Sequence, residues 1–400
     1  MFLNINSLKL NCLQFVLCLL VVVAECSVIE KSLNAANSGK NLDKLLIDER
    51  SNRAFIAATN TLYIRSLPSL QPIAKVSIGP KNDSLLCPPN AYEECICSND
   101  TQEDMCSRSS HDSIVKAMLY DRINNQLIVC TDRYYGYCLK VFLRNYNLEE
   151  NHIKPVVSNS RIGDTILLTA VPGDQMFVAS SLAMTSGLDR YKDMTHMLSK
   201  RRLRDFSYTL YDRPSFLDVR PELRHEFPLV YEFGFVDNNF SFVMGARRKN
   251  QNDNTTQSFI GRLCNHDDTC RSYVELQLRC ATHDRLVTAT LANPGSLFGN
   301  HLGLEDGERL IFAVFVKSEA GSLEIPPTTD SAAICVFPLK EIIEQMDNAV
   351  KVCHSGIGNF GPSYIREGNL DQQCVMRVRL SFIYFIQTLT NHKSFGFVAF

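Results

Sequence analysis

The side chains that could do chemistry fall into a few groups, and their spacing points away from catalysis. Gly356-Ile357-Gly358-Asn359-Phe360-Gly361 matches GxGxxG. A dinucleotide site needs a strand before that motif and a helix after it, so that phosphate meets a helix N-terminus. Here Cys353-His354 precedes and Pro362 follows, so the stretch reads as a loop. Asn265-His266-Asp267-Asp268-Thr269 lies between Cys264 and Cys270 and carries metal-capable groups. Zinc would want pairs such as CxxC, and calcium a longer loop of alternating acids, so a solvated turn is expected. Lys200-Arg201-Arg202 and Arg247-Arg248-Lys249 are basic runs; both read as solvated surface, the first also as a candidate contact site. The chain has no GxSxG and no HExxH, and its 9 histidines show no grouping with a serine or cysteine nucleophile. No enzyme, cofactor or metal is expected.

The cysteines and the N-terminus point to an oxidising compartment. Leu13 to Ala24 is apolar apart from Gln14, Lys9 precedes it, and Ala24 and Cys26 offer small residues for cleavage. This predicts a signal peptide over residues 1–26, whose apolar core falls short of the roughly 20 residues that span a bilayer. LSFIYFIQTL (380–389) is too short as well, so no membrane span is expected in this chain. Of 15 cysteines, Cys12, Cys18 and Cys26 would leave with the leader, and the even number that remains suits a disulfide framework. Sequons at Asn82, Asn99, Asn239 and Asn254 all lie in polar or turn-like stretches and predict glycosylation.

The elements that must carry these residues read as strands. Runs such as LDKLLID (42–48), AFIAAT (54–59), QLIVC (126–130), TILLTAV (165–171) and AAICVF (332–337) are separated by Asn, Asp, Gly and Pro turns. VYEFGFV and NFSFVMG, joined through Asp237-Asn238, predict a hairpin with a two-residue turn. RLIFAVFV (309–316) is apolar on both faces and predicts an innermost, buried strand. Leu339, Ile342, Ile343, Met346 and Val350 recur at helical spacing after Pro338 and predict one helix. Many short strands without βαβ alternation mean an all-β chain, and 400 residues favour a β-propeller over a sandwich. Tryptophan is absent, which counts against WD repeats. A net charge of −2 excludes a strong electrostatic footprint for nucleic acid. Residues 185–227 read as a long charged insertion.

Residues 41–378, taken in order, resemble the Sema domain of plexins, the semaphorin receptors. NLDKLLIDERSNRAFIAATNTLYIRS and GPKNDSLLCPP resemble the opening blade, and DRINNQLIVCTDRYYGYC the second-blade hairpin. HMLSKRRL is similar to a blade-three segment. RLCNHDDTCRSYVELQLRC, LVTATLANPG, HLGLEDGERLIFAVFV and PPTTDSAAICVFPLKEII follow in the same order. The resemblance implies an all-β, seven-bladed propeller of Sema type. About five blades are expected in this chain, within a domain over 27–378, with AFIAAT near an unpaired edge. Residues 379–400 are a tail unlike the family.

What the resemblance implies about sites follows from it alone. The bridges are Cys87–Cys95, Cys130–Cys138, Cys280–Cys335 and Cys353–Cys374, with Cys97–Cys106 paired by proximity. Cys264 and Cys270 remain, and a local bridge between them is expected. The domain would bind a semaphorin through blade loops, placing the contact surface in 185–227. Arg201, Arg202, Asp205, Tyr211, Arg213 and Phe216 are the candidate ligand-binding residues, since arginine and aromatic residues are enriched at hot spots. A homodimer or a co-receptor is the further partner to consider. The competing functional reading is a secreted semaphorin-like ligand or soluble decoy.

Overall fold

The computed structural model describes residues between Leu42 and Ile365, apart from 85–107, 151–153, 160–164, 171–172, 183–194, 211, 213, 225–226, 251–252, 296–298, 301–302, 306, 319–322, 324–331 and 357–361. Signal peptide, C-terminal tail, Cys87, Cys95, Cys97, Cys106, Cys374, Asn99, Tyr211 and Arg213 therefore lie outside the described residues.

Five sheets follow one another as antiparallel meanders. Blade one is β1 (Leu42–Asp48), β2 (Arg53–Ala58), β3 (Thr61–Ser66) and β4 (Pro72–Ser77). A small ribbon of β5 (Lys81–Asp83) and β6 (Ser109–His111) leads to blade two: β7 (Val115–Asp121), β8 (Gln126–Thr131), β9 (Cys138–Phe142) and β10 (Leu148–Glu149). Blade three holds β11 (Thr165–Ala170), β12 (Gln175–Ser180), β13 (Leu198–Arg202) and β14 (Phe216–Leu217). Blade four holds β15 (Leu229–Asp237), β16 (Phe240–Asn250), β17 (Asp253–Cys264) and β18 (Val274–Leu278). Blade five has β19 (Arg285–Ala292), β20 (Leu310–Val316) and β21 (Ala332–Pro338) among the described residues. The first strand of each sheet packs beside the first strand of the next, from β1 to β7, β11, β15 and β19. Sheets that meet along their first strands and fan outward make a propeller, and the described residues are all-β apart from one long helix.

The core is a series of layers between blades. Phe55, Leu62 and Ile64 meet Leu127, Val129 and Leu139 between blades one and two. Leu168 and Phe177 meet Val243 and Phe259 between blades three and four. Phe242 and Met244 meet Leu286, Ile311 and Phe315 between four and five. Successive residues of β16 thus face opposite neighbours, which is why its sequence is apolar without alternation. The helix α1 (Leu339–His354) starts at Pro338 and buries Leu339, Ile342 and Met346 against the same layer as blade five. Proline is suited to that position because it can start a helix but not continue one.

Three expectations are corrected. β20, the RLIFAVFV strand, lies between β19 and β21 rather than innermost. It reads as apolar because both of its faces are covered to a large extent. β2, the AFIAAT strand, is paired on both sides. What blade one exposes is a face of β1, where Leu45 and Ile47 are each 47% exposed. The predicted hairpin turn is Asn238-Asn239, since Asp237 pairs with Phe240. Asn238 adopts φ 49°, a left-handed conformation that asparagine tolerates in tight hairpins.

Disulfides join Cys130 to Cys138 across β8 and β9, and Cys280 to Cys335 between blades four and five. Cys353 is disulfide-bonded. Cys264 and Cys270 are both free thiols, so the local bridge expected between them is not formed. Asp267 accepts hydrogen bonds from Thr269 N (2.9 Å) and Ser272 N (2.7 Å), and Ser272 Oγ accepts from Cys264 N (2.9 Å). This folds the turn so that Cys270, at φ 58°, sends its thiol into the layer between blades three and four, 3.8 Å from Ser215 O. Cys264 stays at the end of β17, opposite Phe240.

A buried polar latch ties the segment after α1 back to blade four. Glu275 Oε1 accepts from Arg247 Nε (3.0 Å) and Nη2 (2.7 Å). Its Oε2 accepts from Tyr273 OH (2.8 Å) and Tyr364 OH (2.6 Å). The Arg247 guanidinium also lies 4.7 Å from the centre of the Tyr364 ring. Burial pushes both phenols far above the usual tyrosine range, and the Glu275 charge adds to it. Arg247 was expected on the surface; Glu275 compensates its charge and makes burial tolerable. Gly261 permits this arrangement, because a Cβ there would stand 2.5 Å from the Tyr273 ring. Among the described residues no helix is long and apolar enough to cross a membrane.

Candidate functional site

The outer half of blade three carries the candidate contact residues. β13 and β14 place part of the expected 185–227 insertion, including Lys200–Arg202, in sheet, and this changes what its charges do. Lys200 is fully buried. Its Nζ crosses to blade four, donating to Asn265 O (2.7 Å) and Asp268 Oδ1 (2.8 Å), and lies 5.3 Å from the centre of the Phe177 ring.

Arg201 is only 3% exposed. Its guanidinium donates to Ser199 Oγ (3.2 Å), Phe206 O (3.0 Å) and Tyr208 OH (3.2 Å), and stacks 4.4 Å from the Tyr208 ring centre. Burial pulls its pKa below the usual arginine value, while Tyr208 works against that shift. The expectation that Arg201 is a ligand contact is therefore corrected: it braces the blade from inside. β-strand alternation would have placed one of Lys200 and Arg201 on a solvated face, but blade four covers Lys200 and the Phe206–Tyr208 loop of the same blade covers Arg201.

Arg202 and Asp205 remain half-buried at the surface. Arg202 Nη2 donates to Thr209 O (2.7 Å). Asp205 accepts from Ser207 N (3.0 Å) and Ser207 Oγ (2.6 Å). Burial opposes ionisation of Asp205, yet these bonds hold its carboxyl below the usual range. Between them Arg204 projects outward with a side chain 72% exposed, the most open charge of this loop and one not singled out from the sequence. Its signal was available in KRRLRD, where it follows the first residue beyond the strand. The backbone carbonyl of Arg204 is fixed from blade two by Lys140 Nζ (2.5 Å).

Phe216 is half-buried and stacks flat on His196, with ring centres 3.6 Å apart and planes 2° from parallel. His196 Nδ1 and Asp218 Oδ2 are 2.9 Å apart, and Arg224 pairs with the other Asp218 oxygen. Tyr208 tilts against both His196 and Phe216. This His–Asp pair is packed among two aromatic rings and a guanidinium. The structure thus brings Arg202, Arg204, Asp205 and Phe216 to one blade and gives Arg201 to its core. What such a surface can do is recognise a macromolecule through charge and an anchored aromatic.

In the Asn265–Thr269 turn the side chains of Asn265, Asp267, Asp268 and Thr269 are likewise taken up by the protein itself. Asp267 caps the turn, with hydrogen bonds outweighing burial to keep its carboxyl below the usual range. Asn239 and Asn82 are exposed; Asn254 falls on β17.

No family model matches the chain. Plexin-A4 of Homo sapiens is 23% identical over 361 residues, covering 82% of this chain and 18% of that protein. Plexin-A4 of Mus musculus gives the same identity and coverage. The chain thus spans under a fifth of the length of these relatives. Among solved structures, the plexin A4 extracellular region, domains 1 to 8, superposes with TM-score 0.70 at 22% identity, over 86% of this chain and 38% of that one. These likenesses show the fold: a β-propeller like that of the plexin A4 extracellular region.

Proposed function

Starting from a plexin-type Sema propeller, we propose that this chain is the semaphorin-recognising part of a cell-surface guidance receptor and acts by protein–protein recognition without catalysis. The observation that carries this reading is the extent of the likeness. Sequence similarity to plexin-A4 runs through 82% of the chain, and 86% of the chain superposes on the plexin A4 extracellular region with TM-score 0.70. Propellers hold variable loops on a rigid frame, which suits recognition. On blade three, Arg202, Arg204, Asp205 and Phe216 form the contact surface, with Arg201 and Lys200 as its internal support.

The test is surface plasmon resonance of the receptor ectodomain that contains this chain against a panel of semaphorin ectodomains. Saturable binding of at least one is expected. Arg202→Glu with Arg204→Glu should weaken it while secretion is unchanged, since neither side chain is core. Binding of none would overturn the function. Binding that is indifferent to the double variant would move the contact surface away from blade three.

A further inference from the structure

Blade five differs from the other four at its outer edge. Among the described residues it has three strands where the others have four, so β21 (Ala332–Pro338) has a partner only in β20. No backbone hydrogen bond between described residues reaches the other side of β21. The outermost strands of the other blades carry features that keep an exposed edge from pairing. β10 and β14 are two residues long, β4 carries Pro72 and Lys75, and β18 carries Glu275 and Gln277. β21 reads Ala-Ala-Ile-Cys-Val-Phe-Pro, with no charge, no bulge, and proline only at its last position. Cys335 and Phe337 face blade four, whereas Ile334 and Val336 face away from it, Ile334 being 43% exposed. Helix α1 buries its apolar residues in the layer between blades four and five, so it supplies no fourth strand.

We propose that residues 380–389 of this chain add to β21 as the fourth strand of blade five. LSFIYFIQTL has no charge, glycine or proline, and Phe382 to Ile386 are all β-branched or aromatic. A run apolar on both faces suits a strand covered on both sides. Beside β21 it would extend the row of Ile334 and Val336 and give the open amides and carbonyls of that edge their partners. Other stretches outside the described residues fit this edge less well. Residues 324–331 include Pro326-Pro327, which cannot donate to a ladder, and 85–107 and 366–379 are interrupted by charged residues. The reach is sufficient. Ile365 bridges Val219, just after β14, and the roughly 15 residues from there to Leu380 extend to about 50 Å. Stacked sheets lie about 10 Å apart, so blade five is within that span.

The experiment is hydrogen exchange of the β21 amides in the full chain, compared with a Tyr384→Pro, Phe385→Pro variant. Successive amides of a strand point to opposite sides, so one of two adjacent prolines falls on the ladder whichever way the strand faces. The β21 amides that do not bond to β20 should exchange slowly in the parent. In the variant they should exchange about tenfold faster, with the other blades unchanged. A second measurement needs no proline: a diazirine amino acid in place of Ile334 should cross-link, on illumination, to residues 380–389 of the same molecule. This decides the matter should the proline variant unfold throughout. Fast exchange of those amides in the parent would overturn the proposal, because the edge would then be open. Slow exchange that the prolines leave unchanged would overturn it too. So would cross-links from position 334 that reach only another segment, or only a second copy of the chain.

Discussion

Replacing Arg201 by glutamate tests whether this residue is core or contact surface. Its guanidinium is buried and directs three donors at Ser199 Oγ, Phe206 O and Tyr208 OH. A glutamate there would face those same oxygens and the negative face of the Tyr208 ring with at most one donor, and that only when protonated. Burial would hold the new carboxyl neutral at pH 7. From an ordinary pKa near 4.3, and about 1.36 kcal/mol per pH unit, that neutralisation costs about 3.7 kcal/mol. The lost hydrogen bonds add about 1–3 kcal/mol for the stranded Phe206 carbonyl. The expected loss is therefore about 5 kcal/mol, comparable to the whole stability of a marginal domain. Arg202→Glu, at a half-buried position, should cost about 1 kcal/mol or less. Urea denaturation of the secreted chains at pH 7 and pH 5 separates the two. The variant's carboxyl would have a raised folded pKa, so its penalty should shrink as pH falls. An Arg201→Glu chain within about 1 kcal/mol of the parent at pH 7 would refute the placement of Arg201 in the core.

The remaining predictions concern blade four. Glu275→Gln should cost about 3–5 kcal/mol by stranding the Arg247 charge, while Tyr364→Phe should cost about 1–2 kcal/mol because Tyr273 still serves the carboxylate; equal losses in urea melts would argue against the shared latch. Gly261→Ala should destabilise by about 1–3 kcal/mol, since the Tyr273 ring is fully buried and has no room to yield. A neutral thermal melt would mean that the ring moves freely. Asp267→Asn should lower stability at neutral pH. Because the folded pKa of Asp267 is depressed, its contribution is complete above the unfolded value of about 3.9 and is lost as pH falls through the folded one. The parent and variant melting curves should converge in acid; a gap independent of pH would count against the charge of Asp267 as the cause.

Local patterns in the chain determined its elements. LDKLLID became β1 at the residues read, and Pro338 followed by apolar residues at helical spacing became the start of α1. Those signals are legible because strand and helix periods depend on neighbours within a few positions. Many short strands without βαβ alternation, and strings resembling the plexin Sema domain in their order, also pointed to a propeller. Only the tertiary structure decided which charges are surface. Lys200, Arg201 and Arg247 look solvated in sequence, because basic residues usually are. Their burial depends on partners that only the fold brings to them: Asn265 from blade four for Lys200, the turned-back Phe206 carbonyl and Tyr208 of the adjoining loop for Arg201, and Glu275 with the Tyr364 ring for Arg247. The fate of Cys270 was likewise hidden, since its six-residue distance from Cys264 allowed a bridge. A carboxylate-capped turn and an open layer between blades drew its thiol inward instead. Periodicity reports which face of an element is apolar; what lies against that face is known only when the sheets have been set around their axis.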